Sequence, residues 1–268
     1  MYTEVNGNKT FFSHGNGELS RNQPSVVFIH GAAMDHTVWT LPARYFARHR
    51  YNVYAFDLPG HGRSDGEPIT SIESLAEWLK SAMDVLNIDK AAMVGHSMGS
   101  LVSICFSAKY PELTRCLALL GTSTPMPVTE QLLSSAEANE HDAIDMTNIW
   151  SHSDFALTGG NADPGRCMTI SGQRLLERSD DNVLFNDLNA CNAFEDAEVY
   201  LNNIDRPTLI ISGKQDKMTS PIKARAAAAA IDGARLVELD RCGHSMMVEQ
   251  PNAVLDALTT IVNNINSF

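Results

Sequence analysis

The chain has 268 residues, 44% of them hydrophobic and 19% charged, enough to bury a large core and unlike a disordered segment. Its formal net charge of −12 disfavours nucleic acid or an anionic lipid surface as a partner, because both repel an acidic protein. No run approaches the roughly 20 apolar residues that span a bilayer, so stable membrane insertion is not expected.

The elements follow in chain order. Short extended segments around Val5 and Lys9–Phe12 flank the turn-like NGN and predict a hairpin. SVVFIHG reads as a fully buried strand, WTLPARYFARHR as a helix, and YNVYAFD as a second strand ending at Asp57. SIESLAEWLKSAMDVL carries helical spacing, with Ser71 or Ser74 as its cap. AAMVG then predicts a strand, SLVSICFSAKY a helix stopped before Pro111, and CLALLG a strand. Strands apolar on both sides, alternating with helices, point to a mostly parallel sheet covered on both faces.

Between about Ser123 and Asp205 the pattern changes. Helix-like stretches such as TEQLLSSAEANE and SGQRLLERS occur there without buried strands, separated by connectors such as LTGGNADPGR. Strands resume at PTLIISG and ARLVELD, around the helix SPIKARAAAAAI, and a last helix runs from about Asn252 to Val262. The fold class is therefore α/β, with residues 1–122 plus 206–268 as core and 123–205 as an inserted helical lid after the sixth strand.

The pentapeptide Gly95-His96-Ser97-Met98-Gly99 fits G-x-S-x-G between a strand and a helix, the context in which that motif presents a nucleophile. The competing reading is an ordinary serine helix cap. A serine needs a base and an orienting partner to become nucleophilic. Asp216 and His244 each follow a predicted strand and come after Ser97 in chain order, at the sheet edge where open α/β sheets bind ligands. Each has a plainer alternative, a turn carboxylate and a structural histidine. For the oxyanion, the Met98 N–H at the helix start and an N–H after Gly31 are the candidate donors, with Ala32 preferred over Ala33.

The segments HGAAMDH, DLPGHGRS, GHSMGS, GKQDKMTSP and CGHSMMVEQP together resemble the α/β-hydrolase fold, in particular the lid-bearing esterase-like serine hydrolases. The resemblance covers nearly the whole chain outside the lid. It implies Ser97 as nucleophile, His244 as base, Asp216 as its orienter, and the N–H groups of Ala32 and Met98 as oxyanion hole. The loop with Asp57, Gly60, Gly62 and Ser64 resembles the family's structural turn and receives no chemical role. The first loop, HGAA, lacks the extra glycine of HGGG-type lipases, which disfavours bulky or tertiary-alcohol esters.

His30, Ala33, His96, Trp150, Met218 and Met246 are candidate pocket residues, although His96 is expected to point away from the base and His30 to serve packing. In the lid, Met126, Leu132, Leu133, Ile149, Trp150, Phe155, Leu157, Met168, Leu175 and Leu176 either line an apolar pocket or pack the lid. His14, His36, His61, His141 and His152 have no carboxylate or cysteine at metal-ligand spacing, and no phosphate loop appears, so no metal and no cofactor is expected. Five scattered cysteines and a start lacking a basic patch followed by an apolar run suggest a cytoplasmic protein.

The expected partner is a small-molecule acyl ester, cleaved through an acyl-enzyme by a carboxylesterase for small to medium acyl groups. Alternatives are a carbon–carbon bond hydrolase of aromatic breakdown, a thioesterase, an aminopeptidase, an enol-lactone hydrolase, and a non-catalytic ligand-binding domain of this fold. Oligomeric state is not encoded in any feature of the sequence.

Overall fold

The computed structural model describes residues 1–161 and 165–263. The middle of the connector at 157–166 and the last five residues assigned to the core lie outside them. Among the described residues, eight strands form one sheet in the order β1-β2-β4-β3-β5-β6-β7-β8. The antiparallel hairpin of β1 (Tyr2–Val5) and β2 (Asn8–Ser13) edges onto β4 (Asn52–Phe56). From β4 onward every pairing is parallel, through β3 (Ser25–Ile29), β5 (Ala91–His96), β6 (Thr114–Leu120), β7 (Thr208–Gly213) and β8 (Arg235–Leu239).

The continuous apolar runs divide by alternation. Val27, Ile29, Met93, Leu117 and Leu119 face one core layer, while Val26, Phe28, Val94, Ala118 and Leu120 face the other. The first layer is covered by α2 (Ile72–Val85), α3 (Met98–Lys109) and α10 (Pro221–Ala230). The second is covered by α1 (Thr40–Arg48) and α12 (Pro251–Val262). Burying each large apolar side chain in these layers contributes about 1.5–3 kcal/mol. Ser71 caps α2 by accepting from the Ser74 N–H.

Helix α3 is buried from Met98 through Ser107, so its apolar residues surround it instead of forming one stripe. It descends from the end of β5, next to β3, where the strand order reverses. That position is the switch point of the sheet.

Among the described residues, six helices lie between β6 and β7: α4 (Glu130–Glu137), α5 (His141–Trp150), α6 (Asp154–Leu157), α7 (Met168–Leu176), α8 (Val183–Ala193) and α9 (Ala197–Asn202). The sequence suggests α4 and α7 but not the separate α5, α8 and α9. A one-turn helix, α11 (Met246–Glu249), also precedes α12. No helix among the described residues is long and apolar enough to cross a membrane.

Candidate active site

Ser97 follows β5 with φ 53° and ψ −121°, a conformation disfavoured for a side chain, and its hydroxyl caps nothing in α3. The plain helix-cap reading is thereby set aside. Small neighbours make the turn possible. A Cβ on Gly95 would lie 2.1 Å from the Gly99 carbonyl oxygen, and one on Gly99 would lie 2.3 Å from that of Ile29. The Ser97 N–H is anchored to the Leu120 carbonyl at 2.9 Å. One turn into α3, the buried Ser100 hydroxyl donates to the Ser97 carbonyl at 2.6 Å, bracing the elbow from below.

Asp216 and His244 meet beside it. His244 Nδ1–H donates to Asp216 Oδ2 at 2.8 Å, and both residues are buried. The other carboxylate oxygen accepts the N–H groups of Met218 at 2.9 Å and Thr219 at 2.7 Å. Thr219 Oγ1 donates to Asp216 Oδ2 at 2.7 Å and lies 3.2 Å from His244 Nδ1. Burial alone would raise the Asp216 pKa, but the charge and hydrogen bond of His244, with the Thr219 donors, outweigh it and hold the carboxyl below its ordinary value. Asp216 is thus an anion that fixes the imidazole with Nδ1 protonated, leaving Nε2 as the free acceptor.

Gly121, at the end of β6 with φ 56°, flanks the imidazole. A Cβ there would fall 2.8 Å from His244 Cε1. The His244 loop is held from the lid side as well. Glu249 accepts the N–H groups of Gly243 at 2.8 Å and Ser153 at 3.0 Å, and the Ser245 N–H donates to the Ser151 carbonyl at 2.8 Å.

Ser97 opens into a cavity of about 110 Å³ lined by Ala32, Met126, Leu132, Trp150 and Met218, as the sequence suggests, together with Val128, Thr129, Leu188, Cys191, Lys217 and Thr219. Lys217 is the one cation among its described lining residues. Cys191 is no rival nucleophile, since burial, and then the Asp187 charge, push its thiol pKa well up. Ala32 lies in the turn after Gly31, whose Cβ would be 3.1 Å from Ser97 Cβ. Met98 is the first residue of α3, where backbone N–H groups lack helical acceptors. The Met98 side chain is buried in the core, so only its backbone faces this chemistry.

Four candidate pocket residues are corrected by the structure, because none lines this cavity. His30 is fully buried, accepts the Leu58 N–H at 3.1 Å and bonds the Gly31 carbonyl at 2.8 Å. Burial, then the His61 charge, lower its pKa to about 4, so it is a neutral packing group. His96 lies behind His244, with Nε2 2.9 Å from the His244 carbonyl and a pKa lowered to about 3 by burial and then by His244. Met246 sits in the core layer under α12, and the Ala33 side chain packs against Leu176 and Val183 of the lid. Of the lid residues, Ile149 and Leu157 are exposed, while Phe155 stacks under Arg241 away from the site.

Three of the histidines without metal-ligand spacing in the sequence meet carboxylates in the fold. His36 bonds Asp57 at 2.8 Å, His61 bonds Asp187 at 2.9 Å, and His141 bonds Asp145 and Glu177. Asp35, His36 and Asp57 cluster closely enough to hold a metal ion. Asp57, however, already accepts the His36 and Arg63 N–H groups, and Asp35 caps the turn at Thr37. Those bonds give the trio a structural task.

Thr219, Glu249 and Asp187 escape sequence reasoning. Thr219 lies within GKQDKMTSP without a motif role, and Glu249 resembles any residue near a helix start. Asp187 belongs to a segment with no strand or motif signal.

A model of the alpha/beta hydrolase family matches residues 26–257. The chain is 26% identical to the 3-oxoadipate enol-lactonase 1 of Acinetobacter baylyi over 91% of this chain and 90% of that protein. It is 27% identical to the 2-hydroxy-6-oxononadienedioate/2-hydroxy-6-oxononatrienedioate hydrolase of Cupriavidus pinatubonensis, over 94% of this chain and 90% of that one. Its fold is that of the enol-lactonase from Burkholderia xenovorans LB400, with a TM-score of 0.86 at 23% identity, covering 98% of this chain and 100% of the other.

Proposed function

The chain belongs to the alpha/beta hydrolase family, and from that premise we propose that it is a serine hydrolase opening small enol-lactones formed after aromatic ring cleavage. The observation that carries this reading is the ordered Ser97, His244 and Asp216 set beneath a small, mostly apolar cavity. In the proposed cycle His244 Nε2 takes the Ser97 proton as Oγ attacks the acyl carbon. The oxyanion forms against the Ala32 and Met98 N–H groups. Collapse breaks the ring carbon–oxygen bond, and His244 returns the proton to the departing enol oxygen, which stays tethered in the acyl-enzyme. Water, activated by His244, then releases the acid and restores Ser97. The Ser97 hydroxyl has no hydrogen bond among the described residues, which suits a group whose contact with the base tightens on substrate.

This reading keeps ester chemistry but departs from a general carboxylesterase, since the named relatives are an enol-lactonase and a dienedioate hydrolase. Lys217 supports a substrate bearing a carboxylate. The dienedioate hydrolase relative favours a second reading, carbon–carbon cleavage by the same serine. Residues 123–205 act as the lid in either case. The free cysteines support the cytoplasm as its compartment.

A substrate panel tests the proposal: an enol-lactone acid, a dienone acid and p-nitrophenyl esters of increasing length. Turnover of the lactone above the simple esters is expected, with activity and fluorophosphonate labelling both lost in Ser97→Ala. Preferential cleavage of the dienone acid gives the second reading the place. Efficient turnover of simple esters alone returns the protein to the esterases, and a folded protein that does not label overturns serine catalysis.

A further inference from the structure

The turn that carries Ala32 does not hold itself. The Met34 N–H donates to the Gly31 carbonyl at 3.2 Å, closing a four-residue turn whose third residue is Ala33. Ala33 has φ 52°. A positive φ at that position of a turn is normally taken by glycine or asparagine, whereas alanine carries a Cβ penalty there. Such a conformation persists only where surrounding contacts impose it.

Those contacts come from the lid. The Ala33 N–H donates to Asp187 Oδ2 of α8 at 2.8 Å, and the Ala33 carbonyl accepts from Ser179 Oγ, just after α7, at 2.9 Å. Both peptide planes flanking the strained residue are therefore fixed by side chains more than a hundred positions downstream. Asp187 is 1% exposed, and the same Oδ2 also meets His61 Nε2 at 2.9 Å, from the loop beside the site. Leu188, adjacent to Asp187, lines the cavity.

We propose that Asp187 and Ser179 are positioning residues that set the Ala32–Ala33 turn, so that the oxyanion hole is complete only when the lid is seated. The inference rests on the reading of Ala32 as an oxyanion donor. Its consequence is that the lid contributes to the chemical step as well as to substrate fit. His61 serves as the second anchor of the Asp187 carboxylate, which keeps that oxygen aimed at Ala33.

The test uses the full chain and p-nitrophenyl acetate. Asp187→Ala is expected to lower kcat by about 10–100-fold, up to the loss seen on removing an oxyanion donor, with KM changed less than about threefold. A trifluoromethyl ketone, which forms an oxyanionic adduct on the serine, should weaken in parallel with kcat/KM. Asp187→Asn keeps an oxygen for the Ala33 N–H and should restore most of the rate. Ser179→Ala, a half-buried change that leaves the core intact, should show the same kcat-weighted loss at smaller size. Should Asp187→Ala fail to fold, Ser179→Ala and Asp187→Asn decide. Unchanged kcat and ketone affinity in folded variants, or a loss confined to KM, overturns the proposal. Fluorophosphonate labelling separates the two failures: a wild-type protein that does not label refutes serine catalysis itself, whereas a labelled one with indifferent Asp187 and Ser179 variants refutes only the lid's role.

Discussion

Gly121→Ala is the sharpest single perturbation of the site. The new Cβ would lie 2.8 Å from His244 Cε1 and 2.9 Å from Nδ1, against an optimal carbon separation of about 3.5 Å, so the ring must yield by about 0.7 Å. It has nowhere to retreat without cost, because Nδ1 is tied to Asp216 at 2.8 Å and the His96 ring packs against it at 4.6 Å. The backbone adds a second term: at φ 56° an alanine costs about 1–2 kcal/mol relative to glycine. Misplacing a catalytic group by about 1 Å costs about 100-fold, so kcat should fall by about 10–100-fold, while KM, set by cavity walls that do not move, stays within a factor of about two. Steady-state hydrolysis of p-nitrophenyl acetate, with a thermal melt on the same sample, measures both effects. A variant with wild-type kcat would refute the claim that His244 is immobilised between Gly121 and Asp216.

Glu249→Gln leaves one of the buried Gly243 and Ser153 N–H groups facing an amide NH₂, and urea unfolding should register a loss of about 1–3 kcal/mol. His61 gives a pH signature. Burial would lower its pKa, but the charge and hydrogen bond of Asp187, with the Pro59 carbonyl and the Asp57 charge, together outweigh burial and raise it above 6.5. The stabilisation is therefore fully present below the ordinary histidine value and is lost as pH rises through the higher folded one. Urea unfolding of wild type and His61→Gln should differ most near about pH 5.5 and converge towards about pH 9. Asp57 and His30 also face this ring and are unchanged in that comparison. Lys217→Met should raise KM about 5–10-fold for a carboxylated lactone and leave neutral esters unaffected, a modest effect because the ammonium is half exposed and 3.4 Å from Asp154.

The core was legible because its strands are short apolar runs bounded by glycine and polar turns, and their parallel order follows from the helices between them. Ser97 was legible because a strand-to-helix turn tolerates so few residue types. Asp216 and His244 were legible by their places beyond strands. The supporting groups were hidden for a physical reason. Glu249, Thr219 and Asp187 act through backbone N–H groups and histidines far away in sequence, and any acceptor in the right place would serve, so no local pattern marks them. His30, Ala33, His96 and Met246 misled in the opposite direction. They neighbour the site along the chain, yet the strand ends turn His30 and His96 into the core, α11 turns Met246 there, and the Ala33 side chain packs under the lid. Helices α5, α8 and α9 were blurred because polar residues interrupt their apolar spacing, and in α8 one of them, Asp187, is buried against Ala33 and His61.

Gly243 has no room for a side chain, since a Cβ would lie 2.8 Å from backbone atoms of Ser151, His152 and Ser153. That contact bolts the junction of α5 and α6 to the loop that carries His244. Prising this corner open would drag His244 out of register before any substrate entered. Traffic that leaves the chemistry intact must therefore pass elsewhere along the cavity wall, and a disulfide pinning α6 to the core should be harmless to turnover.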